Sequence, residues 1–315
     1  MKKTHMKEFY FPTRGETRIH CCQWLPAGRP RAVIQLVHGI AEYAARYDSL
    51  ANVFTAHGFA VVAEDHMGHG GSISQQIPQG CFAGGWSAAV SDVYRLMQIT
   101  REEFPDLPYV LYGHSMGSFL TRTLLYTYPE AGLCAAVLSG TGWMPKSVLW
   151  AGQAFCRVEG RRKGNRGSAA VSKLMFGAYN KGYAHPRTPV DWLTRDEAEV
   201  DLYLADPLLG FDPSPGLAYE MLGGMRQNED AANLANMPKE LPVLFVSGEE
   251  DPVGGNGKGV RRTCEAFRAV GMRNVQLKLY PGARHEMHNE QNRQELYEDV
   301  LAFLDAVLAA KTSCL

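Results

Sequence analysis

The 315-residue sequence has almost no excess of charge, since its formal net charge is −1 at pH 7. It therefore has no general attraction for nucleic acid, and we expect no nucleic-acid partner. No apolar run approaches the ~20 residues that span a bilayer. The lysines near the N-terminus are not followed by the apolar segment of a secretory signal. These absences predict a cytoplasmic location.

Metal-ligand spacing is also absent from the sequence. The seven cysteines are scattered, odd in number and without a CxxC pair, which is typical of reduced thiols. His66 and His69 form a close pair, but no Cys or His cluster of ligand spacing accompanies them. We therefore expect neither a metal nor a cofactor. The sequence carries no signal for an oligomeric state.

Short apolar, β-branched runs alternate with helical patterns along most of the chain. Nearly continuous apolar runs of this length are typical of strands buried on both faces of a parallel sheet. The runs cover residues 31–38, 59–65, 107–113, 133–140, 241–248 and 275–282. The apolar stripes of residues 86–104 and 294–308 predict amphipathic helices between them. The pattern predicts an α/β fold with a mostly parallel, doubly wound sheet.

Two parts of the chain depart from this alternation. EFYFP and TRIHCCQWLP, near the N-terminus, predict an antiparallel hairpin at the sheet edge. Residues 141–222 contain no clear strand and are rich in aromatic and methionine side chains. We interpret them as a helical cap inserted above the carboxyl ends of the strands, where open α/β sheets bind ligands. The predicted core then comprises residues 1–140 and 223–315.

The stretch LYGHSMG (111–117) places Ser115 between a strand and a helical run. This is the context of the G-x-S-x-G nucleophile elbow, a sharp turn that exposes the serine oxygen. Gly113 and Gly117 lack the Cβ atoms that would collide in such a turn. The alternative is an ordinary glycine-rich turn, but the position between strand and helix favours a nucleophile.

A nucleophilic serine needs a base, and the base needs an orienting acid. In this topology the acid follows a late strand and the histidine follows the last strand. Of the three acids in GEED (248–251), we predict Asp251 as the orienting acid and expect Glu249 and Glu250 to be solvated. Of the two histidines after the last strand, we predict His285 as the base and expect His288 at the surface.

Acyl transfer also needs two N–H donors for the developing oxyanion. One is expected from Met116, the residue after the serine. The second should come from the loop after the first parallel strand, HGIAEYAARY (38–47). Gly39 lets this backbone turn, so the N–H of Ile40 is the expected second donor.

Five blocks of the chain resemble those of the α/β-hydrolase superfamily, and more narrowly its monoacylglycerol lipase and lysophospholipase-like branch, which includes proteins labelled serine aminopeptidases. The blocks are HGIAEYAARY (38–47), EDHMGHGGS (64–72), GHSMGS (113–118), GEEDPV (248–253) and GARHE (282–286). The resemblance implies the α/β-hydrolase fold, with Ser115 as nucleophile, Asp251 as acid, His285 as base, and Ile40 and Met116 as the oxyanion hole. Met67 stands where many members carry arginine, which favours acyl-chain substrates.

The cap admits two interpretations. Its aromatic residues, among them Trp143 and Phe176, could line a tunnel for an acyl chain or form the cap's own small core. The basic run from Arg157 to Arg166 could make a transient contact with a membrane surface, or it could be a solvated loop.

The leading hypothesis is a serine hydrolase that cleaves small-molecule acyl esters of the monoacylglycerol or lysophospholipid type. An amide or peptide hydrolase, or an acyltransferase, would use the same acyl-enzyme. A ligand-binding member of the fold without catalysis is disfavoured, because a binding protein needs no base beside its serine.

Overall fold

The computed structural model describes residues 6–15 and 17–312. One eight-stranded sheet organises them, in the order β1-β2-β4-β3-β5-β6-β7-β8. The strands are β1 (Lys7–Pro12), β2 (Arg18–Trp24), β3 (Ala32–Val37), β4 (Phe59–Glu64), β5 (Tyr109–His114), β6 (Ala135–Ser139), β7 (Val243–Gly248) and β8 (Val275–Tyr280). Strands β3 to β8 pair in parallel, whereas β1 and β2 form an antiparallel hairpin that joins β4 at the sheet edge. The predicted fold class and the edge hairpin are confirmed.

Helices cover both faces of the sheet. They are α1 (Asp48–Ala56), α2 (Gly85–Glu103), α3 (Met116–Thr127), α4 (Lys146–Lys163), α5 (Ala169–Phe176), α6 (Glu197–Ala205), α7 (Pro215–Asn228), α8 (Ala231–Leu234), α9 (Lys258–Ala269) and α10 (Arg293–Thr312). Short 3-10 helices lie at Ala44–Tyr47, Gly70–Ser72, Tyr179–Gly182 and Met287–Asn289. Apolar side chains of α1 and α10 pack on one face of the sheet, and those of α2 and α3 pack on the other. Strands β3 to β7 are buried along their whole length, as their apolar runs predict.

The segment between β6 and β7 carries helices α4 to α8 and no strand. Helix α4 packs against α7, where Gly152 faces Leu222 so closely that a Cβ would lie 2.8 Å from its Cδ1. The division of the chain into a core and a cap at residues 141–222 stays a prediction, and α7 runs through the boundary placed at residue 222. Within residues 6–15 and 17–312, no helix has the length and apolar character needed to cross a membrane.

The strand order changes direction at β3. The chain proceeds from β3 outward to β4 and then returns to β5 on the other side of β3. Loops that leave the carboxyl ends of β3 and β5 therefore diverge, and the crevice between them is where ligands bind in open α/β sheets. Since Val37 is paired with Gly113, the chain segments that follow these two residues lie side by side.

Candidate active site

Ser115 lies at the tip of a sharp turn between β5 and α3. Its backbone has φ 51° and ψ −120°, a conformation that costs a non-glycine residue roughly 1–3 kcal/mol. Glycine is required two residues before and two residues after Ser115, because the backbone approaches these positions closely. A Cβ on Gly113 would lie 2.5 Å from the carbonyl oxygen of Gly117, and a Cβ on Gly117 would lie 1.9 Å from that of Val37. The turn therefore has the geometry that the LYGHSMG pattern predicts.

Asp251 and His285 meet at the carboxyl ends of β7 and β8. The Nδ1 atom of His285 lies 3.0 Å from both carboxylate oxygens of Asp251, and both side chains are buried. The carboxylate also accepts hydrogen bonds from the backbone N–H of Val253 at 2.8 Å and the hydroxyl of Ser247 at 3.2 Å. Glu249 and Glu250 are exposed, as expected. These contacts fix the orientation of the imidazole and leave its Nε2 for other partners.

The charge of Asp251 sets the protonation of the imidazole. Burial alone lowers the pKa of His285, but the Asp251 carboxylate and its hydrogen bond raise it by more, so the net shift is upward. Neighbouring His114 has no such carboxylate, and burial holds its pKa well below the ordinary value. Only one of these two adjacent rings is therefore suited to accept a proton near neutral pH.

The loop after β3 approaches the serine through Gly39. A Cβ on Gly39 would lie 3.1 Å from the Cβ of Ser115, so this backbone can reach the serine only without a side chain. Ile40 follows and lines the cavity at the serine. Met116 is the first residue of α3, so its N–H is one of the helix N-terminal donors without an acceptor inside the helix. The two expected oxyanion donors thus belong to the loop after β3 and to the first turn of α3.

A buried ion-pair network ties this loop to the loop that carries His285. Glu42 accepts hydrogen bonds from the N–H of Gly39 at 2.5 Å and from the hydroxyl of Tyr47 at 2.9 Å. Arg46 donates to Glu42 at 3.2 Å and makes a two-bond contact with Glu286 at 2.5 and 2.6 Å. Because Glu286 directly follows His285, Arg46 fixes the oxyanion loop and the histidine loop relative to each other. The sequence analysis missed these three charged residues.

The site opens into a cavity of about 360 Å³. Ser115, His285 and Ile40 lie on its core side, and residues from the segment between β6 and β7 close the other side. Those residues are mostly apolar: Met175, Phe176, Tyr179, Val190, Trp192, Leu193, Phe211 and Met221. A cavity with one reactive end and apolar walls suits a substrate that combines a polar group with an alkyl chain.

The two aromatic residues singled out in the sequence occupy different places. Phe176 lines the cavity, and its ring is parallel to that of Trp192 at 6.1 Å between centroids. Trp143 is absent from the cavity wall, and its ring lies 3.4 Å from the guanidinium carbon of Arg262. The structure thus brings Phe176 to the site and does not bring Trp143 there.

Trp192, which the sequence analysis did not select, contacts the histidine directly. Its ring centroid lies 5.1 Å from that of His285, and its carbonyl accepts the His285 N–H at 3.4 Å. The next carbonyl, of Leu193, accepts the N–H of Glu286 at 2.7 Å. The histidine loop is therefore held on one side by Asp251 and on the other by the segment that forms the cavity wall. The signal available in the sequence was the tryptophan that begins WLTRDEAEVDLYLADPLLGF (192–211).

His288 is not at the surface, so that expectation is wrong. It is 2% exposed, stacks on Tyr47 at 4.6 Å and meets the edge of His114 at 4.9 Å. Neither ring nitrogen has a hydrogen-bond partner among the described residues. The short 3-10 helix after His285 turns the chain inward before α10 begins, which a sequence of mixed polarity (EMHNEQ) does not reveal.

Among the described residues, the one group of His, Cys, Asp and Glu side chains close enough to hold a metal ion lies on the β1–β2 hairpin. It consists of Glu8, His20 and Cys22 and is separate from the cavity. His66 and His69 instead pack around His38, whose Nε2 accepts the backbone N–H of His66 at 2.9 Å.

Comparison with known proteins gives consistent matches. The family described as "Serine aminopeptidase, S33" matches residues 28–292. A monoacylglycerol lipase of Mycolicibacterium smegmatis is 32% identical over 309 residues, which cover 96% of this chain and 99% of that protein. The human monoglyceride lipase is 29% identical over 278 residues, covering 86% of this chain and 81% of that protein.

A solved structure supports the same relationship. A thermostable carboxyl esterase from Bacillus coagulans, in complex with glycerol, superposes with a TM-score of 0.88 at 29% identity. The superposition covers 96% of this chain and 99% of the esterase. A monoglyceride lipase of Saccharomyces cerevisiae, at 18% identity and a TM-score of 0.75, shares the fold.

Proposed function

Because the chain belongs to the "Serine aminopeptidase, S33" family and is a carboxylic-ester hydrolase of the α/β-hydrolase fold, we propose that it cleaves monoacylglycerols or lysophospholipids through an acyl-enzyme on Ser115. The observation that carries this proposal is the convergence of Ser115 and the Asp251–His285 pair on one apolar cavity. The acyl chain lies along Phe176 and Trp192, and the ester carbonyl lies at the serine. With these substrates, the proposed role of the protein is in lipid metabolism.

The proposed reaction has two stages. The oxygen of Ser115 attacks the ester carbonyl carbon while Nε2 of His285 takes the serine proton, and the N–H groups of Ile40 and Met116 stabilise the oxyanion. The tetrahedral intermediate collapses, the carbon–oxygen bond of the alcohol breaks, and His285 returns the proton to the departing alkoxide. Water then attacks the acyl-enzyme with His285 again as base and releases the fatty acid.

The carboxylates at the cavity favour an ester over the N-terminus of a peptide. An aminopeptidase needs an acidic group free to bind the substrate ammonium. Glu42 and Glu286 lie at the reactive end of the cavity and are both paired with Arg46, whereas Asp212, which accepts the hydroxyl of Ser172, lies among the apolar residues of the opposite wall. An amide or peptide hydrolase and an acyltransferase remain the alternatives, since they share the acyl-enzyme chemistry.

A substrate panel tests this function. Glycerol monoesters of graded chain length should be hydrolysed with kcat/KM rising along the series and then falling, because each methylene buried in the cavity contributes about 0.8 kcal/mol. Acyl amides and aminopeptidase substrates of matched size should react far more slowly. A flat profile across chain lengths, or faster cleavage of the amides, would contradict the proposal.

We also infer that the outer face of α4 makes a transient contact with membrane surfaces. Large apolar side chains and cations alternate along this exposed face, so it offers both apolar contact and attraction to anionic lipid. These residues are Val148, Trp150, Phe155, Val158, Arg157, Arg161, Arg162 and Lys163. Co-sedimentation with anionic vesicles should fall at high salt and in Phe155→Ser, and equal recovery with neutral vesicles would refute the electrostatic part.

A cytoplasmic location is proposed on the state of the thiols. Cys21, Cys22, Cys81, Cys156 and Cys264 are free and buried, as expected in a reducing compartment. We propose no nucleic-acid partner, in line with the net charge of −1. Fractionation of cells that express the chain, with fluorescent detection, tests the location.

A further inference from the structure

The edge hairpin gathers three potential metal ligands that are distant from the catalytic cavity. Glu8 on β1 is directly opposite Cys22 on β2, so their side chains lie on the same face of the sheet. His20 precedes Cys22 by two residues and therefore shares that face. One ligand atom from each side chain lies within 4.8 Å of the other two. The sequence analysis predicted no metal because this set is split between two strands.

His20 is held in the orientation that a metal-binding histidine requires. Its Nδ1 lies 2.8 Å from the carboxylate of Asp65, and its Nε2 faces Glu8 at 3.4 Å. Metal-ligating histidines almost always donate their other ring N–H to a carboxylate or carbonyl, which fixes the tautomer. With Nδ1 as the donor to Asp65, Nε2 is the ring nitrogen that faces Glu8, and a metal ion that binds it displaces any proton held between these two groups.

The backbone of His20 is also fixed. Its N–H donates to the hydroxyl of Ser72 at 2.8 Å, and its carbonyl accepts the N–H of Asp65 at 2.8 Å. Gly71 packs on the imidazole so closely that a Cβ there would lie 2.6 Å from the ring carbon Cγ. The ligand is therefore preorganised, and ordering it costs a bound ion little entropy.

The local charge attracts a cation. The carboxylates of Glu8 and Asp65 both contact His20, so the cluster carries more negative than positive charge. A divalent cation compensates this charge and stabilises the thiolate form of a coordinating cysteine. Glu8 is largely exposed, with 58% of its side chain accessible, and provides the route from solvent.

We propose that Glu8, His20 and Cys22 form a zinc site, with Asp65 as the carboxylate that orients His20 and with water in the fourth position. A thiolate, an imidazole and a carboxylate are all ligands that Zn²⁺ accepts in tetrahedral geometry. On binding, the thiol proton of Cys22 passes to solvent and the sulfur coordinates the ion. The ion links β1, the edge strand, to β2 and so stabilises the hairpin.

Zinc and cobalt titrations of the full chain test the proposal. Isothermal titration with Zn²⁺ alone should give one ion per chain, and Co²⁺ should produce a thiolate-to-cobalt charge-transfer band. Cys22→Ser should abolish that band and Glu8→Gln should weaken affinity at least tenfold. Cys21→Ser is the matched control, because Cys21 is an equally buried thiol on the same strand that faces the other side of the sheet. It should leave both signals unchanged.

The cobalt band and the zinc affinity of the variants together decide whether the site exists. Since Glu8 is exposed, Glu8→Gln should fold normally and keeps the test valid even if Cys22→Ser is unstable. Loss of the band in Cys22→Ser together with weaker binding in Glu8→Gln supports the site. No stoichiometric binding, or binding that is equal in wild type, Glu8→Gln and Cys22→Ser, would overturn it. Esterase activity does not enter the readout, so the proposed catalytic function is tested separately.

Discussion

Five buried histidines should make the folded protein sensitive to mild acid. His38, His66, His69, His114 and His288 are each at most 2% exposed. Burial lowers the pKa of His66 and of His288 to about 3 and that of His69 to about 4, and it lowers the pKa values of His38 and His114 well below the ordinary value. In mild acid these rings stay neutral in the folded state, whereas the unfolded chain protonates them.

The sign follows from proton uptake. Below the ordinary histidine pKa of about 6.5, the unfolded chain binds protons that the folded chain does not, so stability is lost as the pH falls. Each such group removes ~1.4 kcal/mol per pH unit until its folded pKa is reached. Burial also raises the pKa values of five carboxyls, that of Glu64 to about 8, and these groups act in the opposite direction above about pH 4.5. They are Glu42, Glu64, Asp92, Glu199 and Glu229.

Below about pH 4.5 the carboxyls are protonated in both states and no longer oppose the histidines, so the loss of stability is steepest there. Because a folded domain is stable by only about 5–15 kcal/mol, unfolding should occur below about pH 4.5. The midpoint can be measured by acid titration followed by circular dichroism at about 222 nm, near the minimum of the helix signal.

His288→Phe provides the critical variant. Phenylalanine keeps the stacking on Tyr47 and removes two ring nitrogens that have no partner among the described residues, so it should lower the midpoint pH and make the loss of stability with falling pH less steep. His57→Phe is the control, because His57 is exposed at the end of α1 and should leave the midpoint unchanged. An identical midpoint in wild type and His288→Phe, or a protein that stays fully folded down to about pH 3, would refute the reasoning.

Three further predictions concern catalysis. Asp251→Asn should lower kcat by roughly 10⁴, the loss seen for the corresponding change in a serine protease. The control Glu250→Gln, at an exposed residue, should have a kcat near that of wild type. Equal losses of kcat in the two variants would mean that the acid is misassigned. Phe176→Ala should move the kcat/KM maximum to longer acyl chains, with a gain in kcat/KM of up to about fourfold per added methylene. The control Phe155→Ala, at a residue outside the cavity, should leave the maximum unchanged. The same optimal chain length in both variants would show that Phe176 does not limit the length of the acyl chain. Asp251 raises the pKa of His285 above its ordinary value, so kcat/KM, followed against pH, should rise through a pKa above about 6.5; a limb below that value would contradict a charged Asp251 beside the ring.

The sheet was predictable because buried parallel strands impose an unmistakable pattern. The run at 133–140, for example, became β6, and the glycines at 113 and 117 marked the turn that holds Ser115. These features depend on local residue spacing, which the sequence shows directly.

The surroundings of the site depend on tertiary contacts that spacing does not show. Arg46 and Glu286 are separated by 240 residues yet share two hydrogen bonds, and each alone looks like a surface charge. Trp143 and Trp192 look equivalent in the sequence, but only Trp192 reaches His285. His288 looked exposed because its neighbours in the chain are polar, although the 3-10 helix turns its ring inward.

The central claim is that Ser115 forms the covalent intermediate. The most direct measurement is labelling with a fluorophosphonate, followed by mass spectrometry of the adduct, in wild type, Ser115→Ala and the control Ser147→Ala, whose serine is exposed on α4. The proposed mechanism predicts one adduct on the peptide that contains Ser115, no labelling in Ser115→Ala, and normal labelling in Ser147→Ala. Labelling of Ser115→Ala at the wild-type level, or an adduct on another residue, would contradict it.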